Sequence, residues 1–320
     1  MTAGAAGWRP DREIELVAGT PAGGGQDRPA RVLIRVLESG GLIDVPLKLV
    51  NIPGRGGGNA WDYLAQHAGD PHVLAINSPT IITNRVLGVS AIDDRDLTPL
   101  ANLYTEYIAF LVRADSALHT SADLLSELGR NAGGLTIALA TAIGNTNHMA
   151  LAQITRHAGG DPRELDLHVF DSARYAVADV MDGKAVVAAI TAVSAVPELE
   201  SGGLRALAVS SPRRLPALYA GTPTWKELGV DCVTGTWRGV IGTHGLPAAQ
   251  TEFWNTALRA ATATADWNSE LDRQYWVNTW AGSAEIPAMM ERERAAMTAL
   301  LRDLGLSAGG QQADCATDIT

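Results

Sequence analysis

The chain has 320 residues, of which 46% are hydrophobic and 19% are charged, the proportions of an ordinary globular protein with room for a large core. Its formal net charge of −10 and its lack of a basic stripe exclude a general nucleic-acid binder. Because the net charge is negative, an anionic ligand would have to be caught by local geometry rather than by global attraction. No window of the sequence is apolar for long enough to span a membrane.

The first part of the chain alternates short apolar runs with helical patterns. Strands are predicted at residues 14–17, 47–50 and 73–76, and helices at residues 27–39 and 59–67. Such alternation is typical of a parallel sheet flanked by helices.

The same alternation returns after residue 134. Strands are predicted at residues 135–140, 167–170, 185–190 and 204–209, with helices that start at Thr146 and Ala173. Two extended runs, residues 107–116 and 236–247, bracket this block. A block inserted between two extended segments predicts a second α/β domain that is joined to the first by two crossover strands.

The last part of the chain has helical patterns at residues 248–263 and 284–305, which are expected to pack on the first domain. Small polar residues dominate the sequence beyond them. The predicted organisation is a first lobe of residues 11–114 and 237–306, a second lobe of residues 115–236, and flexible tails at residues 1–10 and 307–320.

Two glycine-rich turns, residues 23–25 and 54–58, each separate a predicted strand from a predicted helix. A helix N-terminus offers unpaired N–H groups and partial positive charge, and glycine lets an anion approach the backbone. Neither turn is a nucleotide loop, because Gln26 stands where a P-loop needs Lys and Asn59 replaces the last glycine of the dinucleotide fingerprint. The turns are either tight connections alone or a pair of backbone grips for a carboxylate or phosphate.

The stretches that contain these turns, PAGGGQDRPARVL and VNIPGRGGGNAWDYLAQ, resemble the paired loop motifs of the solute-binding receptors of tripartite tricarboxylate transporters, also called Bug proteins. The resemblance continues in order through INSPTIITNRVLG, GNTNHMALAQI, VADVMDGKAVVAAI, LRALAVSSPRRLP and TWRGVIGTHGLP, and it spans about residues 15–306. It implies a two-lobed α/β fold of the type II periplasmic-binding (Venus-flytrap) class, with a mainly parallel sheet flanked by helices in each lobe.

The resemblance also implies a function. The protein is expected to be a monomeric receptor, without enzymatic activity, cofactor or metal, that closes on a small organic mono-, di- or tricarboxylate and delivers it to the membrane permease subunits. In such receptors the two glycine loops hold one ligand carboxylate through backbone groups and ordered water. Carried over residue by residue, the resemblance implies ligand contacts at Ala22, Gly23, Gly24, Gly25, Asp27, Gly56, Gly57, Gly58, Asn59, Ser78, Thr80, Thr105, Thr141, Asn145, Thr146, His148, Asp171, Ser172, Arg174 and Thr191.

The loop after residue 170 departs from the family pattern, which is small and glycine-rich there. It reads DSARYA, so Asp171 and Arg174 bring opposite charges to the expected ligand. One interpretation is altered specificity, for a ligand with a hydroxyl or amine group or with fewer carboxylates, which counts against tricarboxylate recognition. The other is that Asp171 caps the following helix and that Arg174 is solvated.

Several other polar residues also have two interpretations. Asn145 and Thr146 can hydrogen-bond the ligand or cap a helix, and ligand contact is favoured. His148 can face the ligand or the core. Arg238 is a candidate for a bidentate carboxylate contact, whereas Trp237 is expected to pack at the hinge.

An enzyme would need a nucleophile–base pair or a metal cluster, and the histidines and cysteines form no such motif. The remaining enzymatic alternative is an acid–base pair of His148 and Asp171, in a cytoplasmic enzyme or sensor for a similar carboxylate. The N-terminal residues lack the pattern of a secretory signal. We expect a periplasmic or otherwise extracytoplasmic receptor whose signal has been removed, or a cytoplasmic protein if this N-terminus is native.

Overall fold

The computed structural model describes residues 7–306. Its first part runs β1 (Ile14–Ala18), α1 (Asp27–Ser39), β2 (Leu47–Asn51), α2 (Gly58–Gln66), β3 (Val73–Asn77), α3 (Thr80–Val86) and β4 (Thr98–Arg113). Apolar spacing explains α1, because Ala30, Leu33 and Leu37 recur at intervals of three and four residues and are buried together with Ile14 of β1. The predicted strand–turn–helix units are confirmed here.

The middle of the chain forms α4 (Ser121–Arg130), β5 (Thr136–Ala140), α5 (Thr146–His157), β6 (Asp166–Phe170), α6 (Ala173–Met181), β7 (Val187–Thr191), α7 (Val196–Glu200) and β8 (Leu204–Val209). The remainder forms β9 (Gly235–Gly242), α8 (Ala248–Thr262), α9 (Ala265–Arg273), β10 (Trp276–Gly282) and α10 (Ile286–Asp303). The predicted helix starts at Thr146 and Ala173 are confirmed, whereas α4, α7, α9 and β10 are additions to the prediction. Within residues 7–306, every helix falls short of the length and hydropathy of a membrane span.

The sheet order is β2-β1-β3-β9-β4-β7-β5-β6, and β8 and β10 also pair with β4. The trios β2-β1-β3 and β6-β5-β7 are parallel. Their connections through β4 and β9 are antiparallel, as are the pairings of β8 and β10. The two-lobed α/β fold is confirmed, but each lobe has a mixed sheet built around a parallel trio.

The long strand β4 belongs to both lobes. Residues 98–107 pair with β9, and residues 108–113 pair with β7 and β8. Separate apolar cores lie on either side, one around Ile14 and Trp254 and another around Phe110 and Trp225. The exact lobe boundaries, at residues 114/115 and 236/237, stay a prediction.

Trp8 lies in the stretch predicted to be a flexible tail, but it packs on the first lobe. Its ring centroid lies 5.3 Å from that of Phe253 and 6.3 Å from that of Trp254. The ordered first lobe therefore begins before residue 11, because this aromatic cluster holds the chain down. The other predicted tail residues, 1–6 and 307–320, lie outside the described part of the chain.

Candidate ligand-binding cleft

A cleft of about 400 Å³ lies at the carboxyl ends of the parallel strands, where residues of both lobes meet. Ligand sites in open α/β sheets form at this edge, because loops and helix N-termini converge there. The β1–α1 and β3–α3 turns supply one wall, and the β5–α5 and β6–α6 turns and the end of β7 supply the other. A volume of this size holds a small organic molecule.

The β1–α1 turn approaches the cleft with its backbone. Gly23, Gly24 and Gly25 line the cleft. A Cβ atom on Gly24 would lie 2.7 Å from the Thr20 side chain and 2.9 Å from the carbonyl oxygen of Pro21. Only glycine therefore fits at position 24 without moving the turn. The Gly24 N–H donates within the turn to the carbonyl oxygen of Pro21 at 2.9 Å and the Gly23 N–H donates to Asp27, which leaves the N–H of Gly25 as the donor available to the cleft.

Gln26 fixes this turn to its neighbours and was not among the predicted site residues. Its buried side chain accepts a hydrogen bond from the Gly19 N–H at 2.7 Å and donates one to Ser78 Oγ at 3.3 Å. Ser78 Oγ in turn lies 2.8 Å from Thr80 Oγ1. The sequence gives no sign of this role, because a glutamine before a helix is unremarkable without its partners.

Asp27 lies behind the turn and does not line the cleft. Its buried carboxylate accepts hydrogen bonds from the Gly23 N–H at 2.8 Å, Arg31 Nε at 2.8 Å and Asn51 Nδ2 at 3.0 Å. Burial alone would raise the pKa of the Asp27 carboxyl, but these hydrogen bonds outweigh burial and lower it. Asp27 holds the shape of the turn, and its charge is already compensated.

The second glycine turn packs directly against the first. Gly57 has φ +100°, a conformation that favours glycine, and a Cβ atom on Gly19 would lie 2.8 Å from the Gly57 Cα. Gly56 lines the cleft, whereas Gly57, Gly58 and Asn59 do not. The Asn59 amide instead donates to the carbonyl oxygen of the turn at residue 53, at 2.8 Å.

An ion pair from the two central strands also faces the cleft. Arg238 Nε of β9 donates to Glu106 Oε1 of β4 at 3.0 Å, and the two side chains are only 11% and 10% exposed. Tyr104 pairs with Arg238 and Thr236 pairs with Glu106, so both charges lie on one face of the sheet. A Cβ atom on Gly25 would lie 2.8 Å from Arg238 Nη2, which places the guanidinium against the first glycine turn.

The second lobe contributes hydroxyl and amide groups from the N-terminal ends of α5 and α6. Asn145 lines the cleft, but its amide caps α5 and donates to the carbonyl oxygen of Ala140 at 2.6 Å. Thr146 Oγ1 hydrogen-bonds Thr236 Oγ1 and so connects α5 with β9. Thr191 also lines the cleft, after the end of β7.

Asp171 and Arg174 are separated by the structure. Asp171 is exposed at the rim of the cleft, and Ser172 rather than Asp171 caps α6 by accepting from the Arg174 N–H at 3.3 Å. The guanidinium of Arg174 lies over the ring of Tyr175, 5.1 Å from its centroid, and is not part of the lining. The carboxylate of Asp171 therefore faces the cleft without the compensating charge of Arg174.

His148 is buried in the core and does not line the cleft. Its Nδ1 accepts a hydrogen bond from the Gly144 N–H at 3.0 Å, and burial lowers the pKa of the imidazole to about 4. The ring is neutral near pH 7, and it is not in the cleft with Asp171. The proposed acid–base pair is not assembled.

Thr105 lies on the opposite face of β4 from Glu106, because successive side chains of a strand point to opposite faces. Its Oγ1 lies 2.8 Å from Thr279 Oγ1, in a second cavity behind the crossover strands. The side chain of Thr105 is thus directed away from the cleft, and the neighbouring Glu106 faces it.

The predicted residues divide into two sets. Those that line the cleft are Gly23, Gly24, Gly25, Gly56, Ser78, Thr80, Thr141, Asn145, Thr146, Asp171, Ser172 and Thr191. Those placed elsewhere are Ala22, Asp27, Gly57, Gly58, Asn59, Thr105, His148 and Arg174. Arg238, the candidate for a bidentate carboxylate contact, also lines the cleft, and further lining residues that were not predicted include Thr20, Gln26, Arg28, Glu106, Thr236 and Trp276. Among residues 7–306, no group of His, Cys, Asp and Glu side chains is arranged to hold a metal ion.

Replacing Asp27 with Asn should lower the free energy of unfolding by about 1–3 kcal/mol at pH 7, since three donors lose a charged acceptor. The folded-state pKa of Asp27 is lowered from its ordinary value of 3.8, so the wild-type advantage is present above that pH and is lost as pH falls through the folded-state pKa. Urea unfolding between pH 7 and pH 3 measures this. D44N, at an exposed ion pair, is the control, and equal stability of D27N and wild type at pH 7 would contradict the assignment.

Comparison of the sequence with known proteins identifies one family. A family model described as "TctC: Tripartite tricarboxylate transporter family receptor" matches residues 43–306. The "UPF0065 protein in tcbD-tcbE intergenic region" of Pseudomonas sp. (strain P51) is 29% identical over 290 residues, which cover 87% of this chain and 82% of that protein.

Solved structures share the fold. A TctC solute-binding protein from Polaromonas, crystallised without ligand, superposes with a TM-score of 0.75 at 25% identity, over 92% of this chain and 99% of that one. Rpa4515 of R. palustris, solved with adipate, has a TM-score of 0.81 at 23% identity, over 93% of this chain and 99% of that one. The family match extends over most of the sequence, including the second glycine turn and the central ion pair. The chain belongs to the TctC family of tripartite tricarboxylate transporter receptors.

Proposed function

We propose that this protein is an extracytoplasmic receptor that captures a small organic carboxylate in the cleft and delivers it to the permease subunits of a tripartite tricarboxylate transporter. The observation that carries the proposal is that backbone from both glycine turns and the guanidinium of Arg238 line the same cleft. The Arg238 guanidinium lies directly beside Gly25, and Gly56 of the second turn lines the same cavity. Family membership supports the receptor role, and the adipate bound to Rpa4515 supports the ligand class.

Arg238 is preorganised for this task. Its Nε is held by Glu106, which leaves the Nη groups beside Gly25 free to donate to a ligand carboxylate. A second contribution comes from the N-terminus of α1, whose partial positive charge favours an anion at this position. Because these donors are fixed before binding, little ordering accompanies capture.

Closure of the two lobes follows from where the remaining contacts lie. Thr141, Thr146 and Thr191 belong to the second lobe and line the same cleft as the glycine turns. A ligand that touches both sets stabilises the closed state by its additional contacts, and an unliganded cleft lacks that stabilisation. The permease would then distinguish the closed receptor from the open one.

The rim of the cleft favours a ligand with few carboxylates. Asp171 repels any second or third carboxylate that approaches the second lobe, and Arg174 points away from it. We therefore propose a mono- or dicarboxylate whose distal end is hydrogen-bonded by the threonine hydroxyl groups of the second lobe.

Replacing Arg238 with Gln should weaken carboxylate binding by roughly ten- to a hundredfold, the effect of losing a charged hydrogen bond. Calorimetry with a panel of mono-, di- and tricarboxylic acids that includes adipate measures this. The double variant R238Q/E106Q avoids an unpaired Glu106 and should bind as weakly as R238Q.

The matched control for this experiment is R163Q, which removes an exposed arginine paired with Asp161 outside the cleft. Unchanged affinity in the double variant would refute the role of Arg238. Recovery of the acid in a chemically altered form would refute a receptor in favour of an enzyme.

Replacing Gly24 with Ala should also reduce carboxylate affinity by roughly tenfold or more, because the added Cβ atom displaces the turn that carries the N–H donors. G221A is the control: Gly221 has open space around its Cβ position and an ordinary backbone conformation. Thermal unfolding checks that both variants fold. If G24A folds and binds normally, the glycine turn is a tight connection alone.

Replacing Asp171 with Asn should raise affinity for dicarboxylates by roughly three- to tenfold, since an exposed charge pair contributes about 1 kcal/mol. A monocarboxylate of equal chain length, hexanoate against adipate, should respond less. R174Q is the partner variant and should change neither affinity, because Arg174 lies over Tyr175. If D171N changes the affinities for hexanoate and adipate equally, Asp171 does not interact with the distal carboxylate.

A further inference from the structure

A second cavity, of about 320 Å³, lies behind the crossover strands. Its lining comes from α5, from the segment that leads into β9, from the strands β4, β9 and β10, and from α10. The lining residues include Asn102, Tyr107, Met149, Trp237, Glu293 and Met297. The carboxylate cleft shares none of them.

The two cavities are separated by the alternation of strand side chains. On β4, Glu106 faces the carboxylate cleft, while Thr105 and Tyr107 face the second cavity. On β9, Arg238 and Trp237 divide in the same way. The second cavity is therefore a distinct site on the other side of the same two strands.

The second cavity contains polar atoms that lack partners. Asn102 is 3% exposed; its Nδ2 donates to the carbonyl oxygen of Thr279 at 2.7 Å, which leaves Oδ1 buried as an unpaired acceptor. Trp237 is 5% exposed, and its Nε1–H lies near the Glu293 carboxylate without reaching hydrogen-bond geometry. Buried polar groups without partners are uncommon and call for an explanation.

The charge of the cavity has one sign. Glu293 is the only acidic residue in the lining, and no basic residue accompanies it. Burial raises the pKa of the Glu293 carboxyl, while Trp237 and the neighbouring Arg292 oppose the shift. Met149, Met297 and Leu300 supply apolar surface beside this carboxyl group, and methionine side chains adapt to ligands of varied shape.

We infer that the second cavity binds a small organic ammonium ion, with the charged nitrogen at Glu293 and the Asn102 carbonyl oxygen and the apolar body against the methionines. An ammonium group is a pure donor, which matches two acceptors better than a carboxylate or an alcohol would. The aromatic rings of Trp237 and Tyr107 add surface suited to a cation. An anionic ligand without donors would leave both acceptors unpaired, and an alcohol could donate to only one of them.

Binding at this site would be linked to the carboxylate cleft. Met149 lies on α5 of the second lobe, Met297 lies on α10, which packs on the first, and the crossover strands connect them. Movement of the lobes would change the shape of the cavity. A bound ammonium ion would therefore change the affinity for the carboxylate, and a bound carboxylate would change the affinity for the ammonium ion. This linkage rests on the closure proposed above, whereas the ammonium site itself does not.

The test is titration of the chain, labelled with ¹³C at its methionine methyl groups, with benzylammonium in the absence of any added carboxylate. The signals of Met149, Met289 and Met297 should shift and saturate, while Met181 on the surface of α6 should stay unchanged. Benzyl alcohol, which has the same shape without the charge, should bind roughly tenfold more weakly.

E293Q should weaken benzylammonium binding by roughly tenfold or more while leaving carboxylate binding measurable, and E291Q, at an exposed position on the same helix, is the matched control. Absent shifts in the wild-type protein, or equal affinity in E293Q and the wild type, would overturn the ammonium site. Because no carboxylate is present, failure of the receptor proposal would not produce either result.

Discussion

The antiparallel pairing of β4 with β9 is the constraint on which the rest of the molecule depends. Its register runs from Thr98 opposite Gly242 to Tyr107 opposite Gly235, and the two parallel trios attach on either side. Because side chains alternate along both strands, this register sends Glu106 and Arg238 into one cavity. A shift of one residue would move those charges to the opposite face and replace them with apolar and hydroxyl side chains.

In the glycine turns the backbone forms the binding surface, and buried side chains hold that backbone in place by hydrogen bonds. Gln26 and Asp27 are buried, and their hydrogen bonds go to Gly19, Gly23 and Ser78. Their role is to fix the shape of the turn before a ligand arrives. In a chain with a net charge of −10, fixed local dipoles of this kind attract an anion where the global field does not.

The sequence predicted the helix starts and strand positions that depend on local capping and hydrophobic periodicity. Helices α5 and α6 begin where Asn145 and Ser172 provide side-chain caps, and the short apolar runs became strands within one or two residues of their predicted ends. The two extended runs were predicted less well, because β4 begins nine residues before residue 107 and β9 ends five residues before residue 247. The sequence could not predict what depends on pairing between distant segments. Thr105 and Arg238 lie on strands whose two faces cannot be told apart from the sequence, and only the register decides which cavity each side chain reaches. The segment that forms α9 and β10 mixes polar and aromatic residues without a clear period, so its structure is set by packing against β4.

In the closure that we propose, specificity and closure involve the same part of the molecule. A grip made of backbone N–H groups and one guanidinium recognises any carboxylate and cannot tell one acid from another. Discrimination therefore falls to the second lobe, which presents the hydroxyl groups of Thr141 and Thr191 and the exposed carboxylate of Asp171 to the distal end. A ligand whose distal end is repelled by Asp171 gains little from closing the lobes, even though the first lobe holds it. In the proposed mechanism the receptor rejects such a ligand by failing to close, so the closed state that the permease would recognise forms only with the correct solute.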